Sequence, residues 1–109
     1  MFGLFKKSYE QLRSTEFEQR VSADKNGVVL DVRTAAEFKN GHLPHAVNAD
    51  IMSSQFADKV AKLDKTKTYY VYCQAGSRSG QACNYMTKQG LTAVNLAGGI
   101  MSWSGKVVR

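Results

Sequence analysis

The chain has 109 residues, of which 43% are hydrophobic, with nine glycines, one proline and two cysteines. This length and composition predict one folded domain and exclude a disordered chain, a repeat array and a disulfide framework. The net charge of +6 lies wholly beyond residue 64, because residues 65–109 carry six basic side chains and no acidic ones.

We expect residues 1–7 to form an N-terminal extension and residues 8–109 to form the single domain. The segment FGLFKK places its lysines after a very short apolar patch, which is the wrong order and too short for a secretory signal. A frayed or packed terminus is favoured over a segment that touches a membrane surface.

Helix and strand signals then alternate along the chain, which is typical of βαβ units. The first helix is predicted at STEFEQRV, where Thr15 and Glu18 have the spacing of a capping box. A buried strand is predicted at GVVLDV. The next helix is predicted at TAAEF, where Thr34 and Glu37 repeat the capping-box spacing and Gly41 ends the helix.

The second half of the chain continues the alternation. A short strand is predicted at HAVNAD, a serine-capped helix at SSQFADKVAKL, and a strand at TYYVYC that ends at Cys73. A helix follows at SGQACNYMTKQG, with Cys83 and Met86 on its packed face and Gly90 at its end. The last elements are a strand at TAVNLA and a turn or short helix at GGIMSWSG. These elements predict an α/β fold in which helices cover both faces of a parallel sheet.

Charge and cysteine usage narrow the classes of function. The basic residues beyond residue 64 are scattered and not interleaved with exposed aromatic residues, which disfavours nucleic-acid binding. The apolar runs fall far short of the roughly 20 residues that span a bilayer, so no membrane span is expected. Cys73 and Cys83 have no CxxC motif or histidine pair nearby, so we expect free thiols in a cytoplasmic setting and no metal site.

The segment CQAGSRSG predicts a reactive cysteine. An ordinary cysteine, with a pKa of about 8.5, is mostly protonated at neutral pH. This segment offers two means of lowering that pKa, namely the N-terminus of the following helix and the guanidinium group of Arg78. Gly76 allows successive N–H groups to converge on an anion, and Ser77 and Ser79 can cap the helix or donate further hydrogen bonds.

Neighbouring residues have structural interpretations as well. For Cys83, packing in the core is favoured over a role as a resolving thiol. For Arg33, a buried pair with Asp31 or Glu37 has the same weight as contact with a substrate. For His42, a satisfied or solvent-facing ring is favoured over a general base.

Three motifs, in order, resemble those of the rhodanese (sulfurtransferase) family. The cysteine segment resembles the family's active-site loop C-x-x-G-x-R-S, LDVRTAAEFKNGHLPHAVN resembles its D-V-R…E-[FY]…G-H-I-P-G-A-x-N signature, and NLAGGIMSW resembles its closing G-G-x-x-x-W. The matching residues outside the loop are Asp31, Val32, Arg33, Glu37, Phe38, Gly41, His42, Pro44, Ala46, Asn48, Gly98, Gly99 and Trp103. Together the motifs cover about residues 8 to 105.

The resemblance implies a three-layer fold with a five-stranded parallel sheet in the order 3-2-4-5-1, which makes the strands ending in Asp31 and Cys73 neighbours. It further implies that Cys73 takes the outer sulfur of a small anionic donor such as thiosulfate, holds it as a persulfide, and passes it to cyanide or a thiol. No metal or organic cofactor is implied. The substrate would be bound by the loop residues, with Asp31 and Arg33 in support; the loop residues are Gln74, Ala75, Gly76, Ser77, Arg78 and Ser79.

Departures from the family pattern keep other readings open. His45 stands where the family usually has glycine, and Gln74 and Ala75 are neutral where many members have a basic residue; some two-domain thiosulfate enzymes also have a basic residue in place of Glu37. The physiological donor therefore stays open. The acceptor can also be a protein, and we expect a monomer.

Two alternative functions remain. Phosphatases and arsenate reductases with a related loop have five residues between cysteine and arginine, whereas four separate Cys73 from Arg78, which favours attack on a small sulfur atom. The other alternative is a non-catalytic binding module or a sulfur carrier that works with a protein partner. Such modules often lack the cysteine, so its presence favours catalysis.

Overall fold

Five parallel strands form one sheet in the computed structural model of the chain, which describes residues 8–109. The expected N-terminal extension, with FGLFKK, lies outside the described residues. The strands are β1 (Glu10–Leu12), β2 (Gly27–Asp31), β3 (Val47–Asn48), β4 (Thr68–Tyr72) and β5 (Thr92–Leu96). Their spatial order, β1-β5-β4-β2-β3, confirms the order that the resemblance implied.

Helices lie on both faces of this sheet. They are α1 (Ser14–Ala23), α2 (Ala35–Lys39), α3 (Phe56–Ala61) and α4 (Ser77–Lys88), followed by a 3-10 turn at Ile100–Ser102. One buried cluster joins the sheet to α3 and α4, and a second joins the other face to α1. The α/β/α prediction is therefore confirmed. No helix within residues 8–109 has the length and apolar character needed to cross a bilayer.

The central strand β4 shows how the sequence produces these two layers. Successive side chains of a strand point to opposite faces. Tyr69 and Val71 accordingly join the cluster beneath α3 and α4, together with Cys73 just beyond the strand. Tyr70 and Tyr72 join the cluster beneath α1. All five residues are almost completely buried, which explains why this segment is an unbroken apolar run rather than an alternating one.

Two helix starts differ in how they are capped. Thr34 accepts a hydrogen bond from the Glu37 N–H while Glu37 reaches back to the N–H of Thr34, so the predicted capping box is confirmed. The capping box predicted for Thr15 and Glu18 is wrong, because α1 begins one residue earlier, at Ser14, and Thr15 is already helical. The Ser14 hydroxyl instead accepts a hydrogen bond from the backbone N–H of Ser104, at 2.9 Å.

Candidate active site

The cysteine lies where parallel strands end at the centre of the sheet. Cys73 follows β4 directly, and β4 pairs with β2 so that Tyr72 stands opposite Asp31. The strands that end near Cys73 and Asp31 are thus neighbours, as expected. From here the chain runs through the cysteine loop, residues 73–76, into α4 at Ser77. A ligand at this edge would meet both the thiol and the N-terminus of α4.

Hydrogen-bonding groups converge on the Cys73 sulfur. The backbone N–H of Gly76 donates to Sγ at 3.1 Å, and the Ser79 hydroxyl lies 3.3 Å from Sγ. Gly76 has φ 104°, in the left-handed region that favours glycine, and this conformation turns its N–H back toward the sulfur. Cys73 is 1% exposed, so its thiol is buried. We call the groups of the loop that surround Sγ the seat of the thiol.

These contacts decide the acidity of the thiol. Burial raises the pKa of Cys73, but the hydrogen bonds of the Ser79 hydroxyl and of the N–H groups of Ser79, Gly76 and Ala75 outweigh burial and bring the pKa below its ordinary value. The thiolate is therefore favoured by dipoles in direct contact with it. The sequence had indicated Arg78 as a second source of this effect, and the structure gives that side chain another partner.

Arg78 forms a two-pronged ion pair with Glu37. Its Nη1 lies 2.8 Å from Oε1 and its Nη2 lies 2.9 Å from Oε2. Hydrogen bonding to this guanidinium group, above all, lowers the pKa of Glu37 to about 2. The pair is partly exposed, with 28% of Arg78 and 32% of Glu37 accessible. Because the partners are 41 positions apart in the sequence, no local pattern predicts the pair.

Arg33 belongs to a buried network instead. Its Nη2 lies 2.7 Å from Oδ2 of Asp31 and also donates to the carbonyl oxygen of Gly41, and both Arg33 and Asp31 are almost fully buried. Of the two pairs considered from the sequence, the one with Asp31 is present, whereas Glu37 is bound to Arg78. The remaining nitrogen, Nη1, donates to Oε1 of Gln74 at 3.2 Å. Arg33 thus links the end of β2 to the cysteine loop.

The turn after β5 holds the cysteine loop in place, a role that the sequence did not indicate. The N–H of Ile100 donates to the carbonyl oxygen of Cys73 at 2.9 Å, and the N–H of Met101 donates to that of Gln74 at 3.1 Å. Gly99 has φ 63°, and a Cβ at this position would lie 2.6 Å from the Cys73 oxygen. The pair Gly98 and Gly99, one residue after the end of β5, was the available signal. We call residues 99–101 the loop clamp.

Other predicted residues have simple placements. Cys83 is completely buried, and burial raises the pKa of its thiol to about 12, which confirms its place in the core. The His42 ring stacks on Phe38 and its Nδ1 lies 2.9 Å from the Phe38 carbonyl oxygen, so the ring is satisfied as predicted. Ala75 in the cysteine loop and Ser77 at the start of α4 are exposed. Within residues 8–109, no group of three or more His, Cys, Asp or Glu side chains is arranged to hold a metal ion.

Known proteins are similar to this chain in sequence and in architecture. Residues 14–106 match the rhodanese-like domain family. The chain is 32% identical over 95 residues to a sulfurtransferase of Allochromatium vinosum, covering 86% of this chain and 87% of that protein. It is 35% identical over 81 residues to a thiosulfate sulfurtransferase of Pseudomonas savastanoi, covering 73% and 74%. A solved structure, a rhodanese-related protein of Thermoplasma volcanium, superposes with a TM-score of 0.81 at 31% identity, covering 92% and 98%.

Proposed function

We propose that this chain, which belongs to the rhodanese-like domain family, is a sulfurtransferase that carries a sulfane sulfur as a persulfide on Cys73. The observation that supports this proposal best is the seat of the thiol, where the Gly76 N–H donates to Sγ and the Ser79 hydroxyl oxygen lies 3.3 Å from it. Relatives named as sulfurtransferases support the same general activity.

In the first half-reaction, the Cys73 thiolate attacks the outer sulfur of a donor such as thiosulfate. A bond forms between Sγ and that sulfur, the donor's S–S bond breaks, and its electron pair leaves with sulfite. Sulfite leaves with the two negative charges of thiosulfate. The negative charge of the thiolate passes to the terminal sulfur of the persulfide. No proton has to be abstracted in this step, which agrees with a thiol that accepts a hydrogen bond from a backbone N–H.

In the second half-reaction, an acceptor attacks the terminal sulfur of the persulfide. With cyanide the products are thiocyanate and the regenerated Cys73 thiolate, and with a thiol the product is a new persulfide. Loop N–H groups and the N-terminus of α4 are the groups that would stabilise the negative sulfur in both steps. A sulfur-accepting protein could take the place of the small acceptor, provided that its thiol reaches into the seat.

Mass spectrometry after incubation with a donor tests this proposal directly. Wild type should gain the mass of one sulfur atom with at least one of thiosulfate, mercaptopyruvate or glutathione persulfide, and cyanide should then remove that mass. Cys73→Ser should gain nothing. Cys83→Ala is the matched control, because the pKa of the Cys83 thiol is raised to about 12, so that thiol should not be loaded and the variant should still gain one sulfur. No gain with any donor would refute sulfur transfer and leave a binding role.

A further inference from the structure

The two arginines at the cysteine loop are both occupied by carboxylates. Arg33 is bound by Asp31 inside the protein, and Arg78 is bound by Glu37 near the surface. Asp50 adds a third negative charge that acts on Arg78. Each of the two guanidinium groups at the loop is therefore paired with a carboxylate, and Arg78 is acted on by a second one.

This balance matters for the charge of an incoming donor. Gln74 and Ala75, the loop's second and third residues, contribute no charge. Within hydrogen-bonding distance of Sγ the attraction for an anion comes from N–H dipoles, while the charge of Arg78, which also interacts with the Cys73 thiolate, is offset by Glu37. A donor with two negative charges would be repelled by the carboxylates twice as strongly as a donor with one, since Coulomb energy is proportional to charge.

We infer that Glu37 is a specificity residue, which neutralises Arg78 and thereby favours organic persulfides over dianionic thiosulfate as sulfur donors. The inference rests on the proposed function and refines its donor. In the step concerned, the Cys73 thiolate attacks the outer sulfur of R–S–SH and the donor's S–S bond breaks. The leaving group R–S⁻ then takes the proton from the new persulfide. The products are R–SH and the Cys73 persulfide anion, so neither an oxidant nor a reductant is needed.

Glu37→Gln is a sharp test because it removes the charge and leaves the local hydrogen bonds possible. The Glu37 Oε1 accepts hydrogen bonds from the N–H and the hydroxyl of Thr34, both at 3.1 Å, and a glutamine oxygen can accept them too. The start of α2 should therefore persist, while Arg78 gains an uncompensated positive charge. Thiosulfate and cysteine persulfide serve as the two donors, because in the latter the carboxylate and the ammonium group cancel.

In wild type, kcat/KM for persulfide formation should be higher with cysteine persulfide than with thiosulfate. Glu37→Gln should raise kcat/KM about tenfold for thiosulfate and leave it nearly unchanged for cysteine persulfide, because the reacting R–S–SH form of the latter carries no net charge. The gain with thiosulfate should shrink as salt screens the freed charge. Asp50→Asn, which removes a carboxylate with a smaller effect on Arg78 than that of Glu37, should act in the same direction and less strongly.

Glu10→Gln is the matched control, because Glu10 is also paired with an arginine, Arg20, but on the edge strand β1, which β5 separates from β4. It should change neither donor. A wild type that prefers thiosulfate, or a Glu37→Gln variant that speeds both donors by equal factors, would overturn the inference. Either of these results would leave sulfur transfer standing, whereas failure of both donors to load Cys73 in every variant would refute the proposed function itself.

Discussion

Ser79→Ala should make the Cys73 thiol a weaker acid. The substitution removes a hydroxyl 3.3 Å from Sγ that is itself completely buried, and hydrogen bonding by this hydroxyl is the strongest effect opposing burial. A hydrogen bond to a charged group contributes roughly 1.5–3 kcal/mol. One pKa unit corresponds to about 1.4 kcal/mol, so the pKa of Cys73 should rise by about one to two units.

The rate of alkylation by iodoacetamide as a function of pH measures this shift. Cys83 should not contribute, because burial raises the pKa of its thiol to about 12 and so leaves almost none of it as the reactive thiolate. Ser77→Ala is the matched control, since Ser77 belongs to the same segment but is exposed. Circular dichroism would verify that both variants are folded. An unchanged midpoint in Ser79→Ala, or an equal shift in Ser77→Ala, would refute the assignment of the low pKa to the Ser79 hydroxyl.

Further predictions concern the clamp, a strained turn, an ion pair and the rival activity. Gly99→Ala should lower the free energy of unfolding by about 2 kcal/mol, because its Cβ collides with the Cys73 carbonyl oxygen, whereas Gly80→Ala should be tolerated since its Cβ meets nothing closer than 3.4 Å; chemical denaturation compares the two. His45→Gly should raise the free energy of unfolding by about 0.5–1 kcal/mol, because His45 has φ 65°, and a loss of stability would contradict this reading. Glu37 has a pKa lowered from 4.5 to about 2, so its carboxylate stabilises the fold fully above pH 4.5; the stability difference between wild type and Glu37→Gln should vanish as pH falls toward 2 in acid titrations. A generic phosphate ester should show no turnover that depends on Cys73.

Features that depend on local sequence patterns could be predicted from the sequence. The unbroken apolar runs of β2 and β4 and the cap at Thr34 are local patterns, and each was confirmed. The strand β1 was not predicted from its own residues. It has three residues at the edge of the sheet, two of them exposed, so it lacks the periodicity that identifies a strand. The five-strand count came only from the resemblance.

The active-site loop was accessible because its chemistry is local. Cysteine, glycine and serine stand within seven positions, and their contacts with Sγ join residues three and six apart. The partners of the charged residues were not accessible in this way. Glu37 and Arg78 approach each other only because β2 and β4 are neighbours, and the same holds for Arg33 and Gln74.

The loop clamp also has a consequence for the order in which the chain folds during synthesis. Residues 99–101 are translated about 25 residues after Cys73, and β5 must be in place between β1 and β4 before they can reach the cysteine loop. During synthesis, the two carbonyl groups that the clamp holds would face water until that strand inserts. Within residues 8–109, the first strand, β1, pairs with β5 alone and so must wait for it as well. We therefore expect the first and nearly the last segments of the domain to become ordered together, and the seat for sulfur to be completed with them.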